Sequence, residues 1–340
     1  MSQKLLTLVV PSYNVENYIR RCLDTLVQGG EDIEVIVVND GSKDNTAKIA
    51  QEYVDAHPEM VSLVSKTNGG HGSTINTGLG IATGEYFYVV DSDDWLNVEA
   101  LHTLIDTIKE TKKKNLSVDL FLVNYVYEHV EDDTHNAVNY KNSLPVNKVF
   151  TWADTKKFDF AQFLMLHSTV QKTSILRQSG VVLPEHTFYV DNILVYQPLP
   201  YFKTMYYIDI DLYRYFIGRI DQSVSHQSMI NRIDQYIRVV KTMITSHHLE
   251  EIEDPKLRKY MYNFLSIILT IVNTFLTLSK NKENNVKKKE LWHYLKEYDA
   301  TMFKKIRIKP LYAASQLNGK AGRFIIRSGY KLGRKIFKYN

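Results

Sequence analysis

The stretch 88-YVVDSDDW-95 decides the fold. Its apolar start reads as the end of a strand, and Asp91, Asp93 and Asp94 then follow within four positions. Like charges held that close repel one another, so a fold that keeps them must supply a counter-charge. In sheets built from strands alternating with helices, ligands bind beyond the strand carboxyl ends, which is where this cluster falls.

Working outward, LLTLVV (5–10), IEVIVV (33–38) and VSLVS (61–65) read as three earlier strands, with GEYFYVVD (84–91) as the fourth. IEVIVV is a continuous β-branched run, as in a sheet covered on both faces. Helical patterns lie near 15–28 and 44–56, with Asp44 or Ser42 placed to cap the second. NGGHGSTINTGLGIA adds a glycine-rich turn and a third helix. The alternation predicts an α/β fold with a mostly parallel sheet. Four polar clusters, Pro11–Asn14, Asn39–Ser42, Asn68–Gly72 and Asp91–Asp94, each follow a strand and so converge on one sheet edge. That convergence marks a site.

Beyond 115 the pattern is mixed: strand-like segments at 119–130, 168–172 and 205–218, and a loop at 182–192. From about 228 it is helical. The expected organisation is a catalytic domain over 1–226 and a helical region over 227–340. A chain of 340 residues, 44% hydrophobic and 24% charged, is long enough for two domains. The single cysteine, Cys22, excludes a disulfide framework and a multi-cysteine metal site, and fits a reducing, cytoplasmic compartment. The opening apolar run is too short for a secretory signal and reads as the first strand. The net charge of +4 hides an asymmetry: 281–340 holds 16 Lys/Arg against 4 Asp/Glu, and 1–280 holds 26 against 34. A basic end on an acidic body suggests an anionic partner for that end.

The D-x-D spacing places Asp91 and Asp93 on one side of an extended segment. Such a pair suits Mg²⁺ or Mn²⁺, which take oxygen ligands and leave room for substrate phosphates. A solvated acidic turn capping the next helix is the bland alternative. Asp40-Gly41-Ser42 is either a turn with Gly41 at positive φ or a carboxylate offered to a base or ribose. NGGHG (68–72) is either a flexible loop or a close backbone approach to phosphate. It matches neither G-x-G-x-x-G nor the P-loop, which excludes dinucleotide and ATPase readings.

VVPSYNVENYI (9–19), VVNDGSKDNT (37–46), KTNGGHGSTINTG (66–78) and ATGEYFYVVDSDDW (82–95), in this order and spacing, resemble the nucleotide-sugar domain of glycosyltransferase family 2. The resemblance is strong over 4–100 and looser to about 225. It implies a GT-A fold, a UDP- or similarly activated sugar, Mn²⁺ or Mg²⁺, and inversion at the anomeric carbon. It places Pro11, Tyr13 and Glu16 near the nucleoside, Asp40 on the nucleobase edge and Asn68 in the same pocket. Asp91 would face ribose and metal, and Asp93 would be the principal metal ligand. Many members carry Ala-Arg before the asparagine matching Asn76. Here Thr74-Ile75 stands instead, so Lys66 or His71 is expected to replace the arginine. Inversion needs a base on the acceptor side. The family position for it falls on Asp191 in HTFYVDNILVY (186–196), with Val190 in place of the usual Glu; the alternative is an N-cap for a helix from Asn192. The segment 212–225 carries Arg214, Arg219, Gln222, Ser223 and Ser225. Arg219 is the candidate for diphosphate neutralisation, with Gln222 and Ser225 beside the donor; a surface arginine on a turn is the alternative.

Residues 261–279 are uncharged and long enough for a membrane span. Their Asn, Ser and Thr residues make the segment amphipathic, as in a core helix. The chain lacks Q-x-x-R-W and multiple spans, which argues against a processive membrane synthase. The tail 319–340 has seven Lys/Arg and no acid among apolar residues, the pattern of a helix on an anionic membrane. A docked helix or a disordered tail are its alternatives, and no fold supports a nucleic-acid partner. The expected function is an inverting, metal-assisted glycosyltransferase on a glycan or lipid-linked acceptor at the cytoplasmic face of a membrane. A nucleotidyltransferase-like enzyme and a non-catalytic nucleotide or glycan binder are its rivals.

Overall fold

A computed structural model describes residues 4–129, 133–159, 161–218, 226–279, 281–315 and 326. The described chain divides into two compact units, Met1–Phe216 and Ile217–Asn340, a division ten residues before the boundary expected at 226.

In the first unit the strands are β1 (Leu6–Ser12), β2 (Ile33–Asn39), β3 (Val61–Ser65), β4 (Tyr86–Val89), β5 (Trp95–Leu96), β6 (Leu120–His129), β7 (Thr134–Val138), β8 (Val149–Phe150), β9 (Thr169–Lys172) and β10 (Met205–Ile217). Its helices are α1 (Ile19–Leu26), α2 (Thr46–Ala56), α3 (His71–Ile81), α4 (Val98–Lys113), α5 (Thr173–Gln178) and α6 (Asp191–Tyr196). The sheet order is β3-β2-β1-β4-β9-β6-β10-β5, with β7 on β6 and β8 on β10. β3, β2, β1 and β4 are parallel neighbours. β9 then runs antiparallel to both β4 and β6. The sheet is therefore mixed, and the expected parallel alternation holds for its first four strands.

Residues of β1 and β2 are buried almost throughout, which explains their unbroken apolar sequence. α1 buries Ile19, Cys22, Leu23 and Leu26, the i, i+3, i+4, i+7 stripe of an amphipathic helix. Each such aliphatic side chain contributes about 1.5–3 kcal/mol on full burial. Cys22 lies under the acidic turn, its Sγ 3.8 Å from the Asp91 carbonyl, and burial pushes its thiol pKa well up.

The second unit contains α7 (His226–Asn231), α8 (Ile233–Ser246), α9 (Pro255–Leu278), α10 (Lys282–Tyr298), α11 (Ala300–Arg307) and α12 (Pro310–Ser315). α9 begins with Asp254 accepting from the Lys256 and Leu257 N–H groups. It is long and apolar enough to cross a membrane, with mean hydropathy 1.6, and 72% of its most apolar window is buried within the protein. Lys288 of α10 is also buried, donating to the Ser315 carbonyl (2.8 Å) and the Thr277 hydroxyl (3.2 Å). The tail from 319, apart from the buried Ile326, lies outside the described residues.

Candidate functional site

The parallel strands deliver their polar turns to one rim. The turn after β4 closes with the Asp94 N–H donating to the Asp91 carbonyl (2.9 Å). β10 holds it from the far side. The Asp91 N–H donates to the Tyr213 hydroxyl (3.1 Å), whose O–H donates to Asp94 Oδ2 (2.7 Å), and the Phe216 N–H donates to Asp94 Oδ1 (2.8 Å). Asp94 is buried, and burial, reinforced by the charges of Asp93 and Asp91, pushes its carboxyl well above the usual range.

Part of the counter-charge is built in. Arg21 of α1 lies 3.8 Å from the Trp95 ring centroid and 4.7 Å from that of Phe216, and donates to the Asp93 carbonyl (2.8 Å). Burial lowers its pKa against the opposing pull of Asp94 and Asp93. At Asp91 two histidines approach, His71 Nε2 at 3.7 Å from Oδ1 and His167 Nε2 at 3.7 Å from Oδ2. Burial works to raise the Asp91 pKa, and His71 and His167 together outweigh it, so the net shift is downward.

Asp91, Asp94 and His167 offer one ligand atom each, all within 4.8 Å of one another. This trio differs from the expected pair of Asp91 and Asp93; Asp93 sits on the same turn, half-buried. His167 is buried, packed against Tyr213 (4.4 Å) and Tyr215 (4.9 Å), and its Nδ1 has no hydrogen-bond partner. Two carboxylates and an imidazole with a spare buried nitrogen fit a divalent cation such as Mn²⁺.

The glycine-rich turn is organised by Asp40, whose carboxylate accepts from the Gly69 N–H (2.9 Å), the Gly70 N–H (2.7 Å) and the Lys66 ammonium (3.2 Å). The Asn68 amide donates to the Asp40 carbonyl (3.0 Å). Two glycines here serve a neighbouring segment. Gly70 has φ +83°, and a Cβ on it would meet the His186 backbone at 3.0 Å; one on Gly72 would meet the Pro184 carbonyl at 2.8 Å. The strap 182–190 is thus laid directly on the start of α3. Asn76 pairs with both the N–H and the carbonyl of Leu183, and the His186 N–H donates to the Gly69 carbonyl (2.7 Å).

The strap leads to Asp191. His186 (φ 45°) and Tyr189 (φ 66°) both take left-handed backbone, a strain of about 1–3 kcal/mol each that clusters at working sites. Val190, not Asp191, holds the N-cap position of α6, and no side chain caps that helix. Burial raises the Asp191 carboxyl, His167 and His71 oppose the rise, and Asp91 adds to it. These couplings put Asp191 in the same electrostatic neighbourhood as the trio.

On the opposite flank, Pro11 is buried in β1 and the Tyr13 ring is 49% exposed. Glu16 accepts from the Asn45 backbone (2.9 Å) and side chain (2.8 Å), fixing the approach to α2. Neither expected residue is the cap of α2: Asn45 holds the N-cap position with no side-chain cap, while Asp44, one residue earlier, accepts from the Thr46 N–H (3.0 Å) and Ser42 accepts from the Asn14 N–H (3.0 Å). Arg214 is paired with Glu128 at 2.7 Å. Arg219, Gln222, Ser223 and Ser225 lie outside the described residues. Sequence reasoning missed His167, Arg21 and Tyr213, none of which directly follows a parallel strand.

Residues 7–170 match the sequence profile Glycosyl transferase family 2. The chain is similar to Glycosyltransferase GlyA of Streptococcus pneumoniae, 32% identical over 163 residues, covering 45% of this chain and 23% of that protein. It is also similar to a chondroitin synthase of Pasteurella multocida, 38% identical over 109 residues, covering 32% of this chain and 11% of that protein. It therefore spans under a quarter of the length of either relative. Among solved structures, S. aureus TarS 1-349 in complex with UDP-GlcNAc superposes with a TM-score of 0.69 at 18% identity, covering 97% of this chain and 92% of that one. At that identity the likeness shows the fold, which is GT-A.

Proposed function

We propose that residues 7–170, which match the glycosyltransferase family 2 profile, act as a domain of that family, and that the protein transfers a sugar, with inversion, from a nucleotide-sugar to a hydroxyl of a glycan or lipid-linked acceptor in polysaccharide synthesis. One observation supports the reading: Asp91, Asp94 and His167 offer ligand atoms within 4.8 Å of one another, and the charges of His167, His71 and Asp91 all act on the Asp191 carboxyl. A UDP-sugar is the favoured donor, because the TarS neighbour was solved with UDP-GlcNAc.

In this reading Tyr13 offers its exposed ring face to the base, with Pro11 and Glu16 shaping the flank. Asp40 and Asn68 hold the turn that borders the nucleobase, and Asp40 keeps one acceptor position on Oδ2 for the base edge. Lys66 is spent on Asp40 and the Thr67 carbonyl (2.7 Å), which leaves His71, at the N-terminal end of α3, to stand in for the missing family arginine. Asp91 and His167, with Asp94 or Asp93, would hold a Mn²⁺ or Mg²⁺ ion. When bound, that ion stabilises negative charge on the leaving diphosphate. Arg219, which lies outside the described residues, is assigned the same charge-neutralising task, with Gln222 and Ser225 as further donor contacts.

Asp191 takes the proton of the acceptor hydroxyl. The acceptor oxygen forms its bond to the anomeric carbon while the bond from that carbon to the diphosphate oxygen breaks, releasing a nucleoside diphosphate. The test is a panel of UDP- and GDP-sugars with Mn²⁺, scored for nucleotide release and, by NMR, for the anomeric configuration of the product. Nucleoside diphosphate release with an inverted product is expected. Pyrophosphate release, or donor binding without turnover, rejects the reading.

A further inference from the structure

β6 is antiparallel to β9 and so ends, like β4, at the rim; β10 runs alongside it, with Thr204 beside Leu120 and Arg214 beside Glu128. Their rim ends form a notch of rings that the metal trio and Asp191 do not use. Tyr127 of β6 and Tyr215 of β10 meet edge to face, with centroids 5.6 Å apart and planes at 87°. Tyr215 also lies 4.9 Å from the ring of His167, which faces Asp91, so the notch stands one side chain away from the acidic turn. Both tyrosines are partly exposed. Rings packed on one side and open on the other offer an apolar face to a ligand.

Polar groups without partners surround these rings. The Tyr215 hydroxyl makes no hydrogen bond among the described residues. Partial burial and the charges of Asp94 and Asp93 push its pKa well up, so it stays protonated and can donate. Asn136 stands directly opposite Tyr127 across the β6–β7 ladder, and His129 is two residues further on, so both share its face. Asn136 Nδ2 and His129 Nε2 have no hydrogen-bond partner, although their side chains are partly exposed. Leaving such groups unpaired is unfavourable, and a ligand hydroxyl drawn against them would remove that penalty.

Charge narrows the ligand further. β6, β7 and β10 hold a single Lys or Arg, Arg214, and it is paired with Glu128 on the opposite face of the sheet. An anion in the notch would meet the field of Asp91, Asp93 and Asp94 with no basic side chain from these strands to receive it. A pyranose has an apolar C–H face to lay on a tyrosine ring and hydroxyls around its edge for Tyr215, Asn136 and His129. We propose that the notch seats an uncharged pyranose, the accepting sugar of the acceptor, so that transfer is to a glycan end and not to a lipid phosphate. The proposal rests on the glycosyltransferase reading only in calling this sugar an acceptor; its binding is measured without catalysis.

The full chain, with UDP and Mg²⁺ present, is probed by saturation-transfer difference NMR. Chitotetraose, cellotetraose and maltotetraose are the neutral probes, and farnesyl phosphate is the anionic one. At least one tetrasaccharide is expected to bind, with saturation strongest on the C–H protons of one sugar face. Tyr215→Met removes the ring but keeps an apolar side chain against His167, and should weaken that probe about tenfold or more. Tyr215→Phe keeps the ring and should weaken it by a few-fold at most, the effect of one lost hydrogen bond. Asn136→Ala, on the exposed strand β7, should also weaken it by a few-fold. UDP affinity by calorimetry reports whether each variant has folded. No binding of any tetrasaccharide, tighter binding of farnesyl phosphate, or unchanged binding in Tyr215→Met overturns the proposal; should Tyr215→Met lose UDP binding, unchanged binding in Asn136→Ala does so. Nucleotide release failing with every donor would instead reject the glycosyltransferase reading and leave the sugar seat standing.

Discussion

Asp191 begins α6, where burial lifts its carboxyl while His167 and His71 pull it back. A base needs its carboxylate ionised, so a raised pKa moves the acid limb of the kcat/KM profile above the ordinary carboxylate range. The rate falls as pH drops through that raised value. Asp191→Asn removes the acceptor of the proton and should cut transfer by about 10²–10⁴-fold, with UDP affinity by calorimetry unchanged. Full turnover in that variant would end the assignment. His167 is tested separately: His167→Ala should weaken Mn²⁺ binding, followed by electron paramagnetic resonance, by about tenfold or more. Equal Mn²⁺ affinity would remove it from the ligand set.

At the scale of elements, strand direction decides which residues reach the rim. β1 to β4 end there, and their polar turns were legible because each follows an apolar run. β9 runs the other way, with Tyr86 opposite Lys172 and Phe87 opposite Gln171, so it starts at the rim and brings His167 with it. Nothing in STVQK signals that reversal, because a four-residue apolar run carries no direction. NGGHG reads in the sequence as a flexible loop or a close approach to phosphate, but the near neighbour of Gly70 and Gly72 is the strap at 183–187, more than a hundred residues away in sequence. Asp191 is picked out by the family pattern alone, not by periodicity or spacing. β10 has its own role, since Tyr213 bridges the Asp91 N–H and the Asp94 carboxylate. Tyr213→Phe leaves both buried groups short of a partner and should cost about 1–3 kcal/mol, read as a lower midpoint in urea. An unchanged midpoint would mean that the turn is held by Phe216 and Arg21 alone.

At the scale of the whole molecule, the two units carry different pH liabilities. Burial lowers Lys288 from the ordinary 10.5 to about 8. Between those values the unfolded chain holds the extra proton, so stability rises with pH, by up to about 3 kcal/mol over the window. Urea unfolding of the parent and of Lys288→Met, compared between pH 8 and 9.5, should show this rise in the parent only; parallel curves would place Lys288 in contact with water. Cys22 is the chain's single thiol, sealed under the acidic turn. Any alkylating reagent must wait for that turn to lift, so the adduct accumulates at the opening rate and gives a clock with no background. A nucleotide-sugar that clamps the turn should slow the clock, and loss of the Tyr213 hydroxyl should quicken it.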